Sequence, residues 1–160
     1  MQNPAPETRP LYRERLSPSL WLLASAAVVA PMVSLTFVPV GAVFALVLGI
    51  AAAALLLLSL IALSPVVQVV GTDLRAGRAH IDARWLGDVS ALTGEEARHA
   101  RGPGLPARGW HLIRGGIDGV VVVANTDPDD PVESWTISTR TPDRLAASIT
   151  QARQAARQTR

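Results

Sequence analysis

The chain has 160 residues, a formal net charge of +2 and no cysteine, and all fifteen of its basic residues are arginine. The lack of cysteine excludes disulfides, thiolate metal sites and thiol nucleophiles. From Val66 onward twelve arginines face eleven acids, a net charge of +1, so the clustered positive excess of a nucleic-acid binder is missing.

Residues 1–17 read as a disordered and juxtamembrane tail. Pro4, Pro6 and Pro10 stand among polar residues, and Tyr12 to Ser17 is expected to lie along a membrane surface. The next feature dominates the chain. Fifty-seven consecutive residues, Leu16 to Thr72, carry no charged side chain. One helix crosses a bilayer core with about 20 residues, so this run suits two spans. Pro31, Pro39 and Gly41 mark the middle, and the turn is expected near Thr36 to Val40. The hairpin then occupies residues 18–65, with spans at about 19–35 and 40–63. Pro31 is expected to kink the last turn of the first span. A cleaved signal peptide at Ala24-Ser25-Ala26 is the competing reading, but the apolar stretch before that site is short and the apolar run continues far past it. Arg9, Arg13 and Arg15 precede the first span and the turn is uncharged, which places both termini in the cytoplasm.

Ala45, Gly49 and Ala53 recur every four residues in the second span, on one helix face where backbones can approach closely. They serve either packing within the hairpin or a homodimer face.

After Pro65 the pattern changes to that of a small folded domain, residues 66–157. Val66 to Val70 reads as a strand, and Gly71-Thr72-Asp73 and Ala76-Gly77 as turns. Ala79 to Leu86 alternates with period two, which predicts a half-buried strand. Thr93-Gly94-Glu95-Glu96 predicts a capping box opening a short helix. Trp110 to Arg114, Val120 to Ala124 and Ser134 to Thr139 read as further strands. Thr141-Pro142-Asp143 opens a terminal helix with Leu145, Ile149, Ala152 and Ala156 on one stripe. The fold class is therefore a membrane α-hairpin of two transmembrane helices followed by a small α+β domain of pleckstrin-homology-like plan. In that plan an antiparallel sheet is covered by a C-terminal capping helix.

Five segments carry a family resemblance: Tyr12-Arg13-Glu14-Arg15-Leu16, Leu86-Gly87-Asp88-Val89, Arg101-Gly102-Pro103-Gly104-Leu105, Thr126 to Pro131 and Trp135 to Pro142. Together they resemble an actinobacterial membrane family catalogued as domain of unknown function 3093, over about Tyr12 to Ile149. The resemblance implies a two-span membrane protein and carries over no activity, cofactor or catalytic residue.

The remaining chemistry-bearing residues support binding more than catalysis. Asp127, Asp129 and Asp130 are the densest acids. A rigid turn explains them better than a calcium loop, whose further ligands and distal glutamate are missing. His80, His99 and His111 lack metal-ligand spacing and read as surface residues. Trp85, Trp110 and Trp135 supply bulk for a small core, and an exposed one would mark a partner face. Arg75 and Arg78 are expected in the first strand-to-strand turn, where anionic headgroups are the competing explanation to a solvated loop.

These features predict no catalytic residue, no cofactor, no metal and no nucleic acid. They predict a non-enzymatic interaction or scaffold module at the bacterial cytoplasmic membrane. Its partners are lipids and a protein of unknown identity, met through Arg75, Arg78, Asp127, Asp129, Asp130 and Gly102–Leu105. Two alternatives accompany this reading. One is an accessory subunit of a larger transport or envelope complex that docks through Ala45, Gly49 and Ala53. The other is a sensor of anionic headgroups using Arg75, Arg78 and Arg84.

Overall fold

A computed structural model describes residues 9–158, which fall into two compact units. One is Ser17–Ser64; the remainder of the described chain forms the other. Residues 1–8 of the expected disordered tail lie outside the described residues.

The helical unit comprises α1 (Leu20–Ala27), α2 (Val29–Phe37) and α3 (Ala42–Ala62). Ser19 caps α1, its hydroxyl accepting from the Leu22 N–H at 3.3 Å. The break at Val28 has its cause downstream. Pro31 has no N–H to give the Ala27 carbonyl, and its ring crowds that carbonyl, so the helix is interrupted one turn before the proline. The expected kink thus falls at Val28 and not in the last turn. A 3-10 turn over Val38–Val40 and then Gly41 reverse the chain, and α3 starts at Ala42, two residues later than expected. Leu20–Val40 and Ala42–Ala62 are each long and apolar enough to cross a bilayer.

The small-residue stripe of α3 has a definite neighbour. Ala45, Gly49 and Ala53 are the buried residues of this helix. A methyl group added at Gly49 would collide with the Ser34 hydroxyl and the Ala30 carbonyl of α2. The close-approach face is therefore occupied within the hairpin, which is the first of the two roles the spacing allows.

The second unit is built from eight strands and two helices. The first sheet is an antiparallel meander of β1 (Tyr12–Arg15), β2 (Val66–Val70), β3 (Asp73–Ala76) and β4 (Ala79–Asp82), in that order. The β2–β3 and β3–β4 links are two-residue hairpin loops led by Gly71 and Gly77, with φ of +58° and +65°. Those values favour glycine and suit the right-handed twist of the flanking strands. The second sheet runs β5 (Leu86–Leu92), β7 (Val120–Asn125), β8 (Ser134–Ser138) and β6 (Gly109–Leu112). Helix α4 (Gly94–Ala100) sits between β5 and β6 in sequence, and α5 (Pro142–Gln158) ends the described chain.

One core serves both sheets and α5. It joins Leu16, Val67, Val69, Leu74 and Ile81 of the first sheet region to Val121, Val123, Trp135 and Ile137 of the second. Leu145, Ile149 and Ala152 of the helix complete it. The Leu145–Ile149–Ala152 stripe covers apolar sheet surface, as the periodicity predicts, and Pro142 occupies the first helical position.

Several expectations need correction. Tyr12–Arg15 is a strand of the folded unit and not a surface-lying segment. Tyr12 and Leu16 are buried, and the Leu16 N–H donates to the Pro65 carbonyl at 2.9 Å. Asp73–Ala76 is a strand and not part of a turn, with Leu74 and Ala76 facing the core. The alternation from Ala79 to Leu86 does not make one strand. The Asp82 carboxylate accepts from the Arg84 N–H at 2.9 Å and turns the chain into a 3-10 segment over Ala83–Trp85, after which β5 begins. The sheet is two sheets, and the β6–β8 pair is parallel where only antiparallel pairing was expected. Thr93 caps α4 by position, but its side chain makes no capping bond.

Candidate functional site

The most heavily bonded polar cluster lies where β1 meets the end of β8 and the start of α5. Strand alternation sends Tyr12 and Glu14 inward together, away from Arg13 and Arg15. Tyr12 Oη donates to Glu14 Oε2 at 2.5 Å, and Thr139 Oγ1 donates to the same oxygen at 2.6 Å. These lengths belong to charge-assisted O–H···O⁻ bonds. Tyr12 Oη also lies 2.8 Å from Thr139 Oγ1 and 2.9 Å from Thr141 Oγ1. With the single protons of Tyr12 and Thr139 committed to Glu14, the Thr141 hydroxyl is the donor to Tyr12. The other carboxylate oxygen, Oε1, accepts from the Arg140 N–H at 3.1 Å and from its guanidinium at 3.4 Å. That guanidinium also donates to the Arg15 carbonyl at 3.3 Å.

The electrostatics follow from these bonds. Burial pushes the Glu14 carboxyl up, but the bonds from Thr139, Tyr12 and the Arg140 N–H, with the Arg140 charge, outweigh it and hold it below its ordinary 4.5. Tyr12 is held above its ordinary 10.0, first by burial and then by its bond to Glu14. An ionised carboxylate with four donors on two oxygens has little capacity left to take a substrate proton. The cluster is a clasp on β1, and sequence reasoning missed it because its halves are more than 120 residues apart. The one available signal was that both halves fall in segments carrying the family resemblance.

The other segments make similar links. Arg101 donates to the Ile117 carbonyl at 2.5 Å and pairs with Asp118 at 3.3 Å. Thr126 donates to the Trp85 carbonyl from both its N–H and its hydroxyl, each at 2.8 Å. The Gly87 carbonyl accepts from Arg153 of α5.

Two of the three acids of Asp127–Pro131, Asp127 and Asp130, have their carboxylates engaged in their own turn. Asp127 accepts from the Asp129 N–H at 3.0 Å. Asp130 accepts from Asn125 Nδ2 at 2.8 Å and from the Val132 N–H at 2.9 Å. Among the described residues no group of three or more histidines and acids is placed to hold a metal ion. His80 is exposed on β4, His99 lies on α4, and His111 lies on β6; the three do not converge. Trp135 is buried, with Trp110 stacked on it at 4.8 Å between ring centroids; Trp110 and Trp85 pack against the core from partly buried positions. Arg75 pairs with Asp73 at 2.8 Å, and Arg78 is exposed in the β3–β4 loop. Arg75, Arg78, Gln68, His80 and Asp73 line a shallow cavity of about 480 Å³ on the outer side of the first sheet. Arg84 is apart from them, paired with Asp82 at 3.2 Å.

Neither the curated proteins nor the solved structures yield a significant match. Residues 11–149 match the family model described as "Protein of unknown function (DUF3093)", and the chain belongs to that family.

Proposed function

We propose that this is an integral membrane protein of two spans whose folded unit acts, without catalysis, as an interaction module at the cytoplasmic surface of a bacterial membrane. The observation carrying this reading is the apolar surface of the helical unit. Leu20, Trp21 and Leu63 are each more than 80% exposed, and Leu35, Val40, Val43 and Leu55 are about as open. Side chains of this kind, displayed over two 21-residue helical stretches, match lipid as solvent and not water. The arginines before the first helix and the uncharged turn favour cytoplasmic termini. The all-arginine basic set fits a GC-rich, actinobacterial source. Two packed sheets with a C-terminal helix support the pleckstrin-homology-like plan, from which the parallel β6 departs.

The non-catalytic part of the reading rests on the clasp. The best-placed carboxylate is saturated by internal donors, and the carboxylates of Asp127 and Asp130 shape a turn. Anchoring then supplies effective concentration for partners in or near the same bilayer. The contact surfaces are the loops at Asp127–Pro131 and Gly102–Leu105.

Site-specific photocrosslinkers at Asp129 and Pro103 in the full chain test the interaction reading. Discrete adducts to one protein, resistant to an alkaline carbonate wash of the membranes, are expected. A chain released by that wash, or crosslinking to lipid and water only, would overturn it.

A further inference from the structure

The first sheet is polarised in charge along its strands. Its outward side chains form three rows. The row at one end holds Arg15 and Val66, beside the loop carrying Arg78; the Gly77 N–H donates to the Val66 carbonyl at 2.9 Å and fixes that loop there. The next row runs straight across all four strands as Arg13, Gln68, Arg75 and His80. The far row holds Val70, Asp73 and Asp82. Rows on one face lie about 7 Å apart, two residues along a strand. Four arginines thus occupy the two rows at one end and two acids the other. The basic end is where β1 runs out to Leu16 and β2 starts after Pro65, the two residues that flank the helical segment Ser17–Ser64 in the chain.

We infer that this face, through Arg13, Arg15, Arg75 and Arg78, binds the phosphates of anionic phospholipids in the bilayer that the helices enter. The inference rests on the membrane reading above. The ligand is a lipid phosphate because the basic rows adjoin the chain's entry into the apolar hairpin, which keeps headgroups in reach. The cavity lined by Gln68, Arg75, Arg78 and His80, with Asp73 at its acidic side, is large enough for a phosphate group. Guanidinium groups bind phosphate oxygens in paired fashion. Arg13 and Arg15 replace Arg84 among the lipid-facing residues, because Arg84 stands at the acidic end with Asp82. Asp73 competes for Arg75, so it sets a brake on the site.

The test uses the full chain in detergent micelles, titrated with phosphatidylglycerol or phosphatidylcholine and read by native mass spectrometry. Each near-surface arginine contributes roughly a fivefold change in affinity for anionic lipid. Arg75→Gln with Arg78→Gln should therefore weaken phosphatidylglycerol binding about 25-fold and leave phosphatidylcholine unchanged. Arg75→Lys with Arg78→Lys should retain most of it, and Asp73→Asn should strengthen it, a gain that misfolding does not produce. Arg84→Gln and Arg108→Gln should have no effect. Equal retention of both lipids by the wild type, an equal loss in Arg84→Gln, or displacement of the lipid by inorganic phosphate alone would overturn the inference. A chain that stays soluble without detergent would remove the membrane reading itself, a result separable from the lipid preference.

Discussion

Glu14→Gln should release β1 from the folded unit. The carboxylate accepts four hydrogen bonds, from Tyr12, Thr139 and two nitrogens of Arg140, and its side chain is only 14% exposed. A glutamine amide has one oxygen. Its NH₂ group would face either the Tyr12 and Thr139 hydroxyls or the Arg140 donors, so two donors would meet two donors. Each charge-assisted bond contributes about 1.5–3 kcal/mol, and a buried donor left unpaired costs about 1–3 kcal/mol. Part of this is recovered by rotation of the hydroxyls, which leaves a net loss of about 3 kcal/mol. If β1 opens locally, its amides should exchange about 150-fold faster, since 1.4 kcal/mol is roughly tenfold. Hydrogen exchange of the full chain in micelles, followed at Tyr12–Arg15 against the β7 amides, reads this directly. Unchanged exchange at β1, or equal acceleration at β1 and β7, would refute the clasp. The pH dependence carries the same sign. The folded pKa of Glu14 is depressed, so its stabilisation is complete above about 4.5 and is lost as pH falls below it through the folded value. Glu14→Gln should abolish that acid-induced opening of β1.

Three other outcomes are expected. Gly49→Leu should push α2 away from α3, since even a methyl group there meets Ser34 and Ala30; the distance between spin labels placed on the exposed faces of the two helices should lengthen, and an unchanged distance would contradict the packing. Thr136 is fully buried and its hydroxyl has no hydrogen-bond partner among the described residues. Thr136→Val should therefore be neutral or raise stability by about 1 kcal/mol in a denaturant titration, and a loss of that size would reveal a partner. Leu145→Ala should cost about 2–5 kcal/mol in the same assay, because Leu145 is fully buried between α5 and the sheets; a change under 1 kcal/mol would place α5 outside the core.

The parts of this fold legible in the sequence are those set by local periodicity. The charge-free run gave two apolar helices, and the Leu145–Ile149–Ala152 spacing gave the buried stripe of α5. The spacing of Ala45, Gly49 and Ala53 marked a close-approach face, though it could not name the neighbour. What was not legible depends on partners far along the chain. Tyr12–Arg15 reads as a basic juxtamembrane segment until Val66–Val69 is placed beside it. The break after Asp82 reads as continued alternation, because the bond that the Arg84 N–H donates to the Asp82 carboxylate leaves the period-two pattern of residue types intact. The parallel partnering of β6 with β8 leaves no local mark either. The basic face was half visible: Arg75 and Arg78 stood out, but only register joins Arg13 to Gln68, Arg75 and His80.

The central claim is that the hairpin crosses the membrane with the folded unit on the cytoplasmic side. The chain has no cysteine, so single substitutions give unique reporters. Val38→Cys at the hairpin turn and Gly115→Cys in the folded unit, each in the full-length chain, should be treated with a membrane-impermeant maleimide on intact cells and again after permeabilisation. Labelling of Val38→Cys on intact cells, with Gly115→Cys reacting only after permeabilisation, is the expected result. Labelling of both on the same side would contradict the account.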